Sequence, residues 1–336
     1  MKNFLIIILF IFINNIYAQY ENKFSHLKCE RKYVNSFNNE DDFVGLNYDV
    51  VYHRFSWEVN PEIFYIKGEV TTYFYTTENN VQEITFNLSS ALNIDSVIYH
   101  QNQLSSNLEN DILKITLTNN ISQENTLDSI SVYYQGEPDG GGGFGAFIQS
   151  QTPSGTPIIW TLSEPYGAEE WFPCKNSLND KIDSIDIFFK TPVNYKVASN
   201  GVLKYENIEN NIKTTFWKHR HPITTYLIAF AVTDYEVYSD FVHFENSDTV
   251  EVLNYVFPEN LSNAQESTPD VISIMQIFDS LLIPYPFTDE KYGHAQFGWG
   301  GGMEHQTMSF MGGFSYQLIA HELAHQWFGN YITCGI

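Results

Sequence analysis

The sequence predicts a multidomain α+β chain: an N-terminal antiparallel β section of saddle or sandwich type, then a shorter section mixing strands with helices. Two observations carry this. From Asn47 to about Val232, short runs with period-two alternation, rich in β-branched and aromatic residues, recur between turn-forming clusters. After about Tyr235 apolar residues appear at helical spacing instead. The composition agrees: 336 residues, 43% hydrophobic and 16% aromatic, suffice for two cores and argue against disorder.

The elements follow in order. Residues 1–18 read as a signal peptide: Lys2, an apolar run from Phe4 to Ile13, then Ala18 at the expected cleavage point. That run is short for a membrane span; an uncleaved anchor is the alternative. Export implies a secreted, periplasmic or cell-envelope protein. No later segment approaches the length of a membrane helix, so no span is expected beyond the signal peptide. Residues 19–45 are a polar extension. Strands are predicted at Val50–Val59, Gly68–Thr77, Glu83–Leu88, Ile112–Leu117 and Ser129–Tyr134. More follow at Ile182–Lys190, Tyr195–Ser199 and Thr225–Val232, completing a β domain over 46–235. Asp139–Gly145 is glycine-rich but lacks a following Gly-Lys-Ser/Thr, which favours a hairpin loop over a phosphate cradle. The second domain, 236–336, has a helix predicted at Pro269–Leu282 between two prolines, a glycine-rich strand region at Tyr292–Met311, and a helix from Ser315 to Phe328.

The formal net charge of -23 excludes nucleic acid and anionic membrane surfaces as natural partners. Its plain reading is solubility; the functional one is a field that attracts cations. Cys29, Cys174 and Cys334 permit at most one disulfide within the chain, and none has the CxxC spacing of a thiolate metal site. Asn87, Asn120 and Asn260 stand in Asn-x-Ser sequons.

The chemistry concentrates near the C-terminus. His321-Glu322-Leu323-Ala324-His325 places two imidazoles at i and i+4, one face of a helix, with a carboxylate beside them. Two histidines in so apolar a stretch are costly to bury unless paired or ligated. The pattern points to one Zn2+ held by His321 and His325, with Glu322 as general base. A catalytic zinc has three protein ligands, and only two stand out here.

These residues resemble the M1 family of zinc aminopeptidases, the group with aminopeptidase N and leukotriene A4 hydrolase. The likeness spans Asn47–Ile336. It rests on Gly302-Met303-Glu304 within GGGMEHQTM, on TLSEPYGAEEWFPC (Thr161–Cys174), on TTYLIAFAVTDYE (Thr224–Glu236), and on HELAHQWFGN. The resemblance implies an aminopeptidase N-like β domain, a partial thermolysin-like (gluzincin) catalytic domain, and peptide substrates with a free N-terminus. It implies that Glu304 and Glu164 bind the substrate ammonium and that Gly301, Gly302 and Met303 lie along the substrate backbone. The sequence departs from the family pattern at Leu162, at Glu169 and Asn176, expected to concern packing between domains, and at His305, expected to alter how a substrate carbonyl is held. The family's third zinc ligand, a Glu in an N-E-G block, and its catalytic Tyr fall outside these 336 residues. The 336 residues alone are therefore expected to be a nearly inactive fragment. The alternatives are a thermolysin-like endopeptidase and a non-catalytic secreted remnant.

Overall fold

The computed structural model describes residues 44–139, 145–244 and 248–333. The leader, most of the extension, Cys29, Cys334 and the glycines at 140–143 lie outside the described residues.

Twenty strands follow one another in the described chain. They are β1 (Tyr48–Glu58), β2 (Ile66–Thr76), β3 (Val81–Asn87), β4 (Asn93–Tyr99), β5 (Asn102–Leu104), β6 (Ser106–Glu109) and β7 (Ile112–Ile121). Then come β8 (Leu127–Gly136), β9 (Phe147–Gln151), β10 (Pro157–Thr161), β11 (Ser184–Pro192), β12 (Lys196–Ser199), β13 (Val202–Glu209), β14 (Ile212–His219) and β15 (Phe230–Thr233). The last are β16 (Glu236–His243), β17 (Thr249–Val256), β18 (Tyr292–Gln296), β19 (Gly302–Met303) and β20 (Ser309–Met311). Three α-helices lie among the later strands: α1 (Leu261–Ser267), α2 (Asp270–Leu281) and α3 (Tyr316–Ala324).

The strands form an eight-stranded sheet in the order β13-β14-β11-β1-β2-β8-β4-β5, a four-stranded sheet β12-β15-β10-β9, a three-stranded sheet β3-β7-β6 and a five-stranded sheet β16-β17-β18-β20-β19. The largest sheet is antiparallel except where β1 meets β11, running parallel from Tyr52↔Ser184 to Glu58↔Lys190. Alternation in β1 and β2 buries one face and leaves the other half-exposed, as the sequence pattern predicts. On the buried face Trp57 meets Phe55, Trp171 and Phe189 at centroid separations of 4.5, 4.9 and 5.5 Å. Such ring pairs contribute about 0.5–1.5 kcal/mol each beyond area burial. Trp57 Nε1 donates to Tyr134 Oη, which in turn donates to the Trp171 carbonyl.

The centre of the five-stranded sheet, β18 and β20, is buried on both faces, whereas the edge strand β16 keeps several exposed residues. Val252, Val256 and Met311 join one apolar cluster with Ile274 and Met275 of α2 and Ile319 and Leu323 of α3. Tyr255, Ala295, Met303 and Phe310 join the other, which is the core of the β sheets. Double burial explains why β18 has no exposed residue and why its sequence shows no alternation.

Two sequence expectations are corrected. Thr225–Val232 is not one strand: Thr225–Leu227 form a 3-10 turn and β15 starts only at Phe230. The last helix stops at Ala324, not Phe328, with His325 as its C-cap. Below it, Trp327 is pulled away to donate to the Ile283 carbonyl and to pack against Phe278 and Tyr285. Tertiary packing overrides local helical pattern there.

Candidate active site

α3 begins at Ser315, whose hydroxyl accepts from the Leu318 amide, an N-cap that sets the helix register. Ile319 and Leu323 point into the core, which turns His321 and Glu322 toward the β19–β20 side. His325 keeps right-handed helical backbone angles at the C-cap, so the two imidazoles still stack one turn apart. Their Nε2 atoms are 3.3 Å apart and their ring planes lie at 84°. His325 Nδ1 faces the Phe328 carbonyl at 3.0 Å. A carbonyl only accepts, so Nδ1 carries the proton and Nε2 presents its lone pair. Among the described residues no third His, Cys, Asp or Glu completes a metal-binding group.

Glu322 is 3% exposed, and its Oε2 has no hydrogen-bond partner in the described structure. Its carboxylate lies directly over Gly302, leaving no space for a Cβ there unless it moves. Burial first, then the charges of Glu304 and Glu164, push the Glu322 carboxyl up to about 9. Three carboxylates therefore share one region and repel one another, which makes it receptive to a cation. His321 is shifted down by burial and by His325.

Glu304 follows β19, the edge strand of its sheet, and its Oε1 is 4.0 Å from His325 Nδ1. Gly301 and Gly302 are half-buried and Met303 is buried. β19 pairs with β20 through Gly302↔Met311 and Met303↔Phe310. Glu164 is exposed and precedes a cis Pro165 in the loop after β10. That loop is anchored on both sides: Trp171 Nε1 donates to Ser163 Oγ, and the Gly167 amide donates to the Ser163 carbonyl. The aromatic cluster around Trp57 and Trp171 thus places Glu164. His321, Glu322, His325, Gly301, Gly302, Met303 and Glu304 converge on the α3–β19 region, and the charge of Glu164 acts on Glu322 there.

His305 is fully buried, and its ring packs edge-on against Phe310 at 4.3 Å. The Glu169 and Asn176 expectation is corrected. Asn176 Nδ2 donates to Glu169 Oε2 at 3.2 Å and to the Tyr166 carbonyl, and Thr225 donates to Asn176 Oδ1. The two departures form one hydrogen-bonded pair whose partners all lie within the β sheets' part of the chain. Leu162 packs against the main core. Cys174 is a buried free thiol.

Sequence reasoning missed the buried amides of Gln326 and Asn330. Both bond the backbone around Glu304: Asn330 Nδ2 donates to the Glu304 carbonyl at 2.8 Å, and Gln326 Oε1 accepts from the Thr307 amide at 2.9 Å. A signal was present. Glu322, Gln326 and Asn330 recur every four residues, a polar stripe in an otherwise apolar segment.

The comparisons with known proteins now have a structural context. The Peptidase M1 N-terminal domain family matches residues 46–227, more than half of the chain. Leucine aminopeptidase 2 of Vanderwaltozyma polyspora is 29% identical over 198 residues, covering 54% of this chain and 28% of the relative. Human glutamyl aminopeptidase is 28% identical over 201 residues, covering 52% of this chain and 20% of the relative. The chain thus spans a fifth to little more than a quarter of the curated relatives it matches. Among solved structures, the M1 zinc metallopeptidase from Deinococcus radiodurans is similar with a TM-score of 0.72 at 21% identity, covering 86% of this chain and 66% of that one. A two-domain M1 zinc metallopeptidase mutant bound to L-arginine is similar with a TM-score of 0.72 at 21% identity, covering 86% of this chain and 67% of that one. At that identity the likeness concerns the fold, and it extends past the matched family segment into the strands and helices that carry His321 and Glu304. On the family match, the chain belongs to the M1 peptidase family.

Proposed function

We propose that this chain carries the metal-binding and amine-recognition parts of an exported zinc aminopeptidase that removes N-terminal residues from peptides. The division into a β domain to residue 235 and a catalytic part beyond it belongs to this reading, as does export through the leader at residues 1–18. The names of the curated relatives, leucine aminopeptidase 2 and glutamyl aminopeptidase, support it.

The observation that carries the proposal is the His321–His325 pair beside a buried, unpartnered Glu322. Two nitrogens on one tetrahedral zinc at about 2.0–2.1 Å stand about 3.4 Å apart, and the Nε2 separation here is 3.3 Å. The residues therefore fit one zinc ion, His321 and His325 supplying two ligands through Nε2. A catalytic zinc takes three protein ligands, and among the described residues no third His, Cys, Asp or Glu joins this pair. Bound zinc supplies a water of lowered pKa and polarises the scissile carbonyl.

Glu322, with Oε2 unpartnered, takes the proton from the attacking water and returns it to the leaving amine. Its raised pKa reflects a cluster of negative charge without cations; a cation among the three carboxylates favours the ionised form this role needs. Glu304 and Glu164 hold the substrate ammonium, a charge that only a chain end offers, so cleavage is measured one residue in. The edge strand with Gly301, Gly302 and Met303 lets the substrate backbone pair as an added strand.

The test is Glu304→Ala in the natural protein, assayed on aminoacyl p-nitroanilides and on N-acetylated peptides. Loss of one charge-assisted bond is expected to lower kcat/KM on free-amino substrates about tenfold to hundredfold. Undiminished turnover of free-amino substrates, or preferential cleavage of blocked peptides by the parent, would remove the aminopeptidase reading in favour of an endopeptidase.

A further inference from the structure

The segment Glu304–Thr307 is irregular, buried and strained. Thr307 has φ +64°, a left-handed conformation that a β-branched residue rarely adopts. Such a conformation persists only where its surroundings over-determine it. They do so here. The four successive carbonyls each accept from a buried side chain. Asn330 Nδ2 donates to Glu304 O at 2.8 Å, Gln326 Nε2 to His305 O at 3.4 Å, Asn200 Nδ2 to Gln306 O at 2.7 Å, and Lys291 Nζ to Thr307 O at 2.8 Å. Gln326 Nε2 is also 3.4 Å from Glu304 O. The Thr307 amide donates to Gln326 Oε1, and the Gly201 amide donates to Thr307 Oγ1. Gln326, Asn330, Asn200 and Lys291 are all buried.

Asn330 and Gln326 stand on the same stretch of chain as His321, Glu322 and His325. A segment held by them cannot move relative to that stretch without breaking two or more buried hydrogen bonds. Asn200 adds a tie to the β sheets, since its Oδ1 accepts from the Ala229 amide and its Nδ2 donates to the Leu227 carbonyl.

We infer that Asn330 and Gln326 are positioning residues for amine capture, clamping the Glu304–Thr307 backbone so that the Glu304 carboxylate stands at a set reach from the His321–His325 pair. The inference rests on the amine-anchor reading of Glu304. The clamp measures the distance between the group that recognises the chain end and the group that cleaves, a distance the side chain of Glu304 alone would not fix. It is aimed at the ammonium of the substrate and leaves the imidazole pair untouched.

The experiment compares alanine hydroxamate with acetohydroxamate, which lacks the amine, as ligands of the zinc-loaded natural protein, by calorimetry. Asn330→Asp keeps the shape and removes the donor to Glu304 O. It is expected to weaken alanine hydroxamate about tenfold and to leave acetohydroxamate within about twofold. Gln326→Glu keeps an acceptor for the Thr307 amide and replaces the amide donors by a carboxyl oxygen, at the cost of a buried carboxyl, and serves if Asn330→Asp does not fold; the same selective loss is expected. Equal shifts for both ligands, or no shift for either, overturn the inference. Failure of both variants to fold also counts against it, since the role assigned is placement. Glu304→Ala is the reference arm. If it shows no amine-selective loss, the amine-anchor reading itself falls. If it does and both clamp variants do not, only the clamp falls.

Discussion

Acid unfolding of the metal-free protein follows from three histidines. His53, His294 and His305 are each fully buried, and burial holds each of them down at about 3. In the unfolded chain each returns to about 6.5. Between those values the unfolded state binds more protons than the folded one. The histidines' contribution is therefore fully present above about pH 6.5 and is lost as pH falls toward 3, each at about 1.4 kcal/mol per pH unit, about 4 for the three together. Carboxyls raised by burial oppose them: Glu169, Glu170, Asp180 and Glu322. Burial holds Glu170 up at about 7 and Glu322 at about 9, so their folded forms take up protons first. Their stabilisation grows as pH falls to about 4.5 and then stops, because both states are protonated. From pH 6.5 to 4.5 Glu170 and Glu322 offset about two of the three histidines. Below 4.5 Glu170 and Glu322 no longer offset the histidines, Asp180, raised by burial, does so only down to its ordinary value of 3.8, and Glu290, held below its usual range by the charge of His219 against the cost of burial, adds to the loss. Stability should thus decline gently and then steeply, at about 4 kcal/mol per pH unit between about 4.5 and 3, a loss of about 6 kcal/mol that is a large part of a total of about 5–15 kcal/mol.

The assay is urea unfolding from pH 7 to 3.5 in chelator, followed by the fluorescence of the buried Trp57, Trp171 and Trp217. His53→Gln removes one titrating ring far along the chain from the proposed metal ligands and retains a polar group for Thr72, whose hydroxyl is 3.1 Å from His53 Nδ1. The steep limb should lose about a third of its slope. An unchanged slope in a folded variant would show that the buried rings do not drive the transition.

Two further outcomes can be checked on stability alone. Trp57→Ala empties the centre of the aromatic cluster and leaves Tyr134 Oη without the indole donor, and it should cost about 3–5 kcal/mol in urea unfolding; a loss below 1 kcal/mol would mean that the cluster repacks. Glu290→Ala strips the partner from His219 Nδ1 and from the Arg220 amide, both buried or part-buried, and should cost about 3 kcal/mol in urea unfolding; a loss below about 1 kcal/mol would show that other groups or water take the carboxylate's place.

Much of this molecule was legible from residue order alone. The alternation in Val50–Val59 and Gly68–Thr77 marks two strands because one face of their sheet is solvated, and the period of two survives. His321, Glu322 and His325 are legible because helical geometry converts a spacing of four into a shared face, whatever the rest of the fold does. The strands β16 and β17 were missed, and β18 was seen only as a broad glycine-rich region. Residues in a strand buried on both sides need not alternate, and β18 is buried throughout; β16 is a mostly exposed edge strand, where burial of one face imposes no period.

What the sequence by itself determined was the proposed reacting set, His321, Glu322 and His325, since residue type and local spacing are properties of one short segment. Only the tertiary structure decided where Glu304 and Glu164, the carboxylates proposed to recognise the amine, stand and what holds them. Glu164 reaches the site through an aromatic core assembled from strands far apart in sequence, and Glu304 is seated by Asn200, Lys291, Gln326 and Asn330 acting on four consecutive carbonyls. Satisfying the backbone of a buried irregular segment is a non-local problem: its donors come from wherever the chain folds back, and no periodicity in the segment itself announces them.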